Sequence, residues 1–500
     1  MEGIRPIVVN LLIAGLVLIF FNWIFKNIFK AAIIASFVGL AFFSYGHLYD
    51  FFRSTSIFGM YFGRHSLLGT VFLFAVITGF ILLVRINDYK PEATLIINII
   101  SIVLITMPLW QIIRHETRPK TKPEGTSSTS IALTDWQNQT LIENGNKLIF
   151  TSTGQPPDIY LIILDMYGRQ DSLKEDLSFD NSKFISQLKE MGFFVASCSR
   201  SNYAQTRFSL SSLLNLNYIQ KIPSNQNMDD ILEEGIKHSL VRTELEKMGY
   251  KTAAFATGFP FSEITDVDMY IEPAAPSFFD PSIQPFEALI VKGSLLRLPI
   301  DLHPRILAKF LNALTFPYTR YIQRVDTTLV GLKSLAGKEN PKFVFAHLMI
   351  PHPPYIFTPD GSIRVDDRYY REALNQPVSE EYFQDGYKQN LQYANNAILP
   401  VLQEIIKSSV VPPVIILASD HGIRDDNRME NLAALYVPDT VKNPFYSTLT
   451  PVNYFRLVLN EIFNGSFPIL EDLSYYSGYP NRYDLTRVEE TSPDCIIKSP

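Results

Sequence analysis

The sequence predicts an α/β fold: a bundle of four transmembrane helices, then a domain with a mainly parallel sheet flanked by helices. Two patterns predict it. Four charge-free apolar runs fill the first quarter of a 500-residue chain. From Pro156 onward, short apolar runs alternate with longer stretches of helical period. A chain of this length is expected to fold as more than one unit.

The four apolar runs are Pro6–Phe25, Ala31–Leu48, Ser66–Val84 and Ala93–Ile113. Each approaches the ~20 residues that cross a ~30 Å hydrocarbon layer. A charge in mid-span costs roughly 2.5–3.5 kcal/mol on insertion scales, and none occurs here. The charges fall between the runs, at Lys26, Lys30, Arg53, Arg64, Arg85, Lys90, Arg114 and Arg118. Trp23, Tyr61, Tyr89 and Trp110 stand near the ends, where amphipathic rings prefer the interface. Residues 1–115 therefore read as a multi-pass membrane domain, with the lipid bilayer as partner. Four spans leave both ends on one side. Read literally, the small Lys/Arg bias puts that side in the cytoplasm.

Residues 116–155 are rich in Thr, Ser, Pro, Asn and Gln, and read as a flexible linker. Residues 156–500 read as one globular domain. Ile159–Leu164 follows Pro-Pro-Asp as a six-residue buried strand. Phe193–Ala196, Ala253–Ala256, Phe343–Met349, Val414–Ala418 and Leu432–Tyr436 have the same character. Between them, Tyr387, Leu391, Ala394, Ile398, Leu402 and Ile405 mark one face of a helix. Asp180 or Asn181 is placed to cap a helix carrying Phe184, Ile185 and Leu188. Strands alternating with helices imply a sheet covered on both faces. In such sheets ligands gather at the carboxyl ends of the strands.

The net charge of −6, without a basic stripe in the globular part, argues against a nucleic-acid partner. Two cysteines, Cys198 and Cys495, make neither a disulfide framework nor a zinc cluster, though they can pair with each other. Nothing in the sequence sets an oligomeric state.

The chemistry-bearing residues stand where apolar runs end. Asp165 closes the first strand, in Ile-Leu-Asp-Met-Tyr-Gly, and Asp420–His421 close another, in Ala-Ser-Asp-His-Gly. Thr206 precedes Phe208, Leu210, Leu213 and Leu214, so its hydroxyl lies at a helix N-terminus, where free N–H groups favour an anion. Its plainer reading is an N-cap. Arg207 is suited to phosphate or sulfate oxygens. His347 lies inside an apolar run and reads as a core histidine. His352, in a Pro-flanked loop, is a candidate for substrate binding or proton transfer. Two carboxylates, one imidazole and one hydroxyl suit a divalent metal, zinc or manganese, beside an oxygen nucleophile.

Taken together, Asp165, Thr206, the His-Pro-Pro-Tyr loop at His352 and Ser-Asp-His-Gly at 419–422 resemble the sulfatase-like branch of the alkaline phosphatase superfamily. Within it they look most like membrane-anchored lipoteichoic acid synthases and phosphoethanolamine transferases. The resemblance spans roughly 156–440. It implies an alkaline-phosphatase-like domain with Asp165, Thr206, Asp420 and His421 on the metal, Thr206 as nucleophile and His352 on the anionic group of the substrate. It further implies a phosphoryl-type transferase or hydrolase acting on phosphate or sulfate esters of a lipid or cell-surface glycan. It puts the globular domain outside the cytoplasmic membrane, against the charge bias. The chain departs from the pattern in three ways. Asp165 replaces a Glu common in those transferases, and the stretch after His421 lacks a further His. The sulfatase Cys/Ser-X-Pro-X-Arg motif is absent, which disfavours formylglycine chemistry. A non-catalytic, membrane-tethered binding protein of the same fold is the alternative. A transporter would leave the large domain unexplained.

Overall fold

The structure is a computed structural model. It describes residues 4–53, 64–86, 128–143, 155–223, 227–275, 285–301, 318–338, 341–369, 378–423, 428–438, 444–478, 481–492 and 494–495, with short pieces within 56–61, 95–110 and 146–147. The chain divides into two compact units, 1–122 with 274–320, and 123–273 with 321–500.

Among the described residues of the first unit, three helices are long and apolar enough to cross a membrane: α1 (Ile4–Phe25), α2 (Ile28–Arg53) and α3 (His65–Arg85). Leu11, Trp23, Leu40 and Phe74 are largely exposed, as a lipid-facing surface requires. The fourth expected span, Ala93–Ile113, falls mostly outside the described residues.

The sequence reading placed 274–320 within one domain over 156–500. The contacts group this segment with the membrane helices instead. Charge pairing and a close backbone approach explain why. Arg5 pairs with Glu287, and Arg297 pairs with Asp50 and Asp301. His65 bridges the Tyr45 hydroxyl and Asp301, both at 2.9 Å. The helix Pro285–Gly293 presses so closely on α2 that a Cβ on Gly46 would lie 2.1 Å from the Lys292 carbonyl oxygen.

The second unit is built on a seven-stranded sheet. Its strands, in chain order, are β1 (Ile159–Leu164), β2 (Phe194–Val195), β3 (Lys251–Phe255), β4 (Met269–Ile271), β5 (Lys342–Leu348), β6 (Val414–Ala418) and β7 (Ala433–Tyr436). The spatial order is β2-β7-β6-β1-β5-β3-β4. β6, β1, β5, β3 and β4 pair in parallel, and β7 is antiparallel to both its neighbours. All six expected strands form. β4 was not expected, because three half-buried residues carry no readable period.

Every residue of β1, β5 and β6 is buried, as a sheet covered on both faces demands. The helix face predicted from Tyr387 to Ile405 is the buried face of Glu380–Ser408. The helix expected after Asn181 runs over Ser182–Glu190.

The expected linker 116–155 is not a tether throughout. Ser128–Leu141 forms α4, with Ala132, Leu133, Trp136 and Thr140 buried. Polar composition hid this helix, because its apolar stripe rests on a few side chains. Trp136 is fully buried and donates to the Tyr218 carbonyl.

Candidate metal centre and nucleophile loop

The sheet topology brings seven strand ends to one edge. The carboxyl ends of β1, β3, β4, β5 and β6 share it, because these strands are parallel. β7 runs the other way, so its beginning lies there too. β2, antiparallel to β7, again ends there and leads into the loop before Thr206.

Asp165 follows β1 and is 1% exposed. Its N–H donates to Leu348 O of β5, and its carbonyl accepts from His352 N at 3.2 Å. The His352 loop is thus stitched to the Asp165 turn. Met166 adopts φ 64°, a left-handed conformation uncommon outside glycine. That turn directs Met166 N–H at Asp420 Oδ1, 3.0 Å away. Tyr387 fixes it from above, donating to Met166 O and accepting from Gly168 N.

Asp165, Asp420 and His421 each offer a ligand atom, and these atoms lie within 4.8 Å of one another. All three residues are buried. Asp165 Oδ1 and Asp420 Oδ2 have no hydrogen-bond partner among the described residues. Buried, unpaired carboxylate oxygens are costly unless a cation answers them. His421 Nδ1 lies 2.8 Å from Gly422 O, so it carries the proton and donates. Nε2 is then a lone pair, 3.3 Å from Asp420 Oδ2. The Arg428 guanidinium, its Nη2 3.2 Å from Nε2, offsets the repulsion there, while the two carboxylate oxygens are left without a partner. The donor set therefore fits a divalent metal.

Electrostatics agree in sign. Burial alone would raise the Asp165 carboxyl, but His352, the hydrogen bond from His347, and His421 hold it well below the usual carboxylate range. Burial pushes the His421 imidazole down, with Arg428 adding to it against the pull of Asp420. Both residues are thereby kept in the forms that ligate.

Three features escaped the sequence reading. His347, read as a core histidine, is buried, but its Nε2 lies 3.0 Å from Asp165 Oδ2 and its Nδ1 lies 3.2 Å from Ser262 Oγ. It orients Asp165. Arg428 donates from Nε to Ala204 O at 2.7 Å, and its Nη2 lies 3.2 Å from His421 Nε2. It ties the approach to Thr206 to the cluster and brings a permanent positive charge there. Its only sequence signal was a cation a few residues after Asp-His-Gly.

The third feature is the C-terminal stretch. Cys198 and Cys495 form a disulfide. Tyr475 N donates to Asn202 O, and Ser474 Oγ to Ser201 O. Arg200 donates to Val488 O, and Arg169 holds Glu490 through two hydrogen bonds. The hairpin of β8 (Ser474–Tyr476) and β9 (Thr486–Val488) thus backs the loop before Thr206.

Thr206 opens α5 (Thr206–Asn215) and is half-buried. Arg207 is ion-paired with Asp229 at 2.6 Å, and its guanidinium stands 5.3 Å over the Phe261 ring. His352 donates from Nδ1 to Pro353 O at 2.7 Å, which leaves Nε2 for other partners.

No protein-family model matches this chain, and no curated protein matches it. Among solved structures the chain is similar to the C-terminal periplasmic domain of EptC from Escherichia coli in complex with zinc. That match has 10% identity and a TM-score of 0.42 over 68% of this chain and 94% of that one. It is similar to an alkaline phosphatase superfamily protein from Vibrio parahaemolyticus, with 12% identity and a TM-score of 0.41 over 71% and 83%. It is also similar to the C-terminal periplasmic domain of phosphoethanolamine transferase EptC from Campylobacter jejuni, with 12% identity and a TM-score of 0.35 over 65% and 95%.

Proposed function

We propose that this protein is a membrane-anchored, metal-dependent transferase or hydrolase of phosphate or sulfate esters carried by a lipid or a cell-surface glycan. One observation carries the reading. Two buried carboxylate oxygens without partners and one imidazole lone pair converge at the strand edge where Arg428 also fastens the Thr206 loop.

Asp165, Asp420, His421 and the Thr206 hydroxyl would hold the metal, zinc or manganese. When bound, it supplies positive charge that favours the alkoxide form of the hydroxyl and neutralises oxygens on the transferred group. Thr206 Oγ attacks phosphorus, and an Oγ–P bond forms as the P–O bond to the leaving group breaks. His352 Nε2, a lone pair because Nδ1 donates to Pro353 O, is suited to take the proton that Thr206 gives up and hand it to that departing oxygen. Water or an acceptor hydroxyl then forms its own bond to phosphorus and releases Thr206. Arg428 and Arg207 stabilise charge on the transferred group.

The reading includes four spans. The segment 274–320 meets the N-terminal end of α1, the C-terminal end of α2 and the N-terminal end of α3, which share one face. The chain leaves α3 at the opposite face, so one further crossing between α3 and residue 274 would return it to the first. The run Ala93–Ile113 is apolar enough for one. The disulfide supports a globular unit outside the cytoplasm, because such bonds persist in oxidising compartments.

Thr206→Ala tests the reading. The variant is expected to lose turnover of an aryl phosphodiester while keeping its membrane insertion and its melting temperature. Undiminished turnover rejects Thr206 as nucleophile, and a purified wild-type protein without bound metal or ester cleavage rejects the enzyme.

A further inference from the structure

The turn Thr257–Glu263, after β3, carries two phenylalanines to the active edge. Phe259 is 37% exposed, and its ring centroid lies 5.8 Å from that of Phe261. A single exposed aromatic is ordinary on a protein surface. This one differs in how it is held and in what surrounds it.

The turn is rigid. Glu263 Oε2 accepts from Thr257 N at 3.0 Å, Thr257 Oγ1 at 2.9 Å and Gly258 N at 2.8 Å. Tyr270 donates to the same carboxylate. Gly258 has φ +80°, and a Cβ there would lie 2.6 Å from Arg324 Cζ, so glycine alone fits. The turn is also wired to the metal cluster, because Ser262 Oγ meets His347, and His347 meets Asp165.

Its neighbours are charged. Arg207, next to Thr206, covers Phe261 and pairs with Asp229. Asp229 also pairs with Arg482 and accepts from Tyr483 Oη at 2.7 Å. The exposed Phe259 ring thus adjoins Phe261, which Arg207, the residue after the proposed nucleophile, covers, and Arg207 leads through Asp229 to Arg482. A hydrocarbon tail asks for a continuous apolar surface, which these charges interrupt. A sugar ring asks for this mixture: its C–H face stacks on an aromatic ring, and its hydroxyls reach planar charged groups.

We propose that Phe259 and Phe261, with the Arg207–Asp229–Arg482 chain of ion pairs that begins over Phe261, form an acceptor subsite for a pyranose ring. The proposal rests on Thr206 as the nucleophile and specifies the acceptor as a glycan hydroxyl. That hydroxyl's oxygen forms the new P–O bond, the Thr206 Oγ–P bond breaks, and the proton ends on Thr206.

The test uses the full-length protein in detergent, an aryl phosphodiester as donor, and linear hexasaccharides of glucose and of N-acetylglucosamine as probes. Sugar is expected to divert the phosphoryl group from water to sugar in the wild type. Phe259→Ala is expected to need about tenfold more sugar for half-diversion, a loss of about 1.4 kcal/mol, and Phe259→Trp to restore it. The tryptophan in Phe259→Trp is expected to shift its fluorescence on adding hexasaccharide. The subsite is overturned if neither sugar diverts the group or shifts that signal, if Phe259→Ala diverts as the wild type does, or if only phospholipid vesicles change the fluorescence. A wild type that cleaves no ester overturns the parent reading instead, and the fluorescence titration still decides the subsite.

Discussion

His347 Nε2 lies 3.0 Å from Asp165 Oδ2, across two parallel strands that pair Ile163 with His347. With Ser262 Oγ at its other nitrogen, the imidazole is held in one orientation and fixes the carboxylate in turn. Outer partners of this kind typically change metal affinity by about 10- to 100-fold. His347→Leu is expected to weaken metal binding by that much in competition titrations with a chelator. Unchanged affinity would reduce His347 to a packing role.

Arg428 joins Ala204 O to His421 Nε2. If it stabilises charge on the transferred group, its loss acts on turnover more than on binding. Arg428→Ala is expected to lower kcat by roughly 100-fold with a smaller change in KM. Arg428→Lys, which keeps the charge but loses the planar fork, should recover only part. Steady-state kinetics on an aryl phosphodiester measures both.

The Cys198–Cys495 bond closes a chain segment of 297 residues and anchors the stretch that backs Ser201 and Asn202. The double variant Cys198→Ser/Cys495→Ser is expected to lose about 2–4 kcal/mol of stability. Hydrogen exchange should rise first at Tyr475, whose N–H donates to Asn202 O across that contact. Faster exchange spread evenly over the sheet would contradict this.

Away from the Asp165–Asp420–His421 cluster, His238 lies between Asp266 and Glu234. Its hydrogen bonds to Asp266 and then Glu234 raise its pKa from 6.5 to about 9, against burial. A raised folded-state pKa adds stability that is complete below the unfolded value and fades as pH rises through about 9. The site is partly exposed, so the contribution is on the order of 1 kcal/mol. Wild type should therefore melt above His238→Gln at pH 6, and the gap should close by pH 10.

The linear sequence was enough to set the three apolar helices, six of the seven sheet strands and the residues that end them. Each is a local matter of charge-free length, apolar period or a polar break, and local patterns are written in order along the chain. Asp165, Asp420 and His421 were legible because strand ends in a parallel sheet share an edge. Tertiary structure decided the rest. Whether His347 is core or orienting depends on which strand lies beside it, and β1 comes from 182 residues earlier. Arg428, the hairpin behind Ser201 and the return of 274–320 to the membrane helices all depend on contacts between distant segments. Their partners are chosen by packing and charge compensation, which no local period encodes.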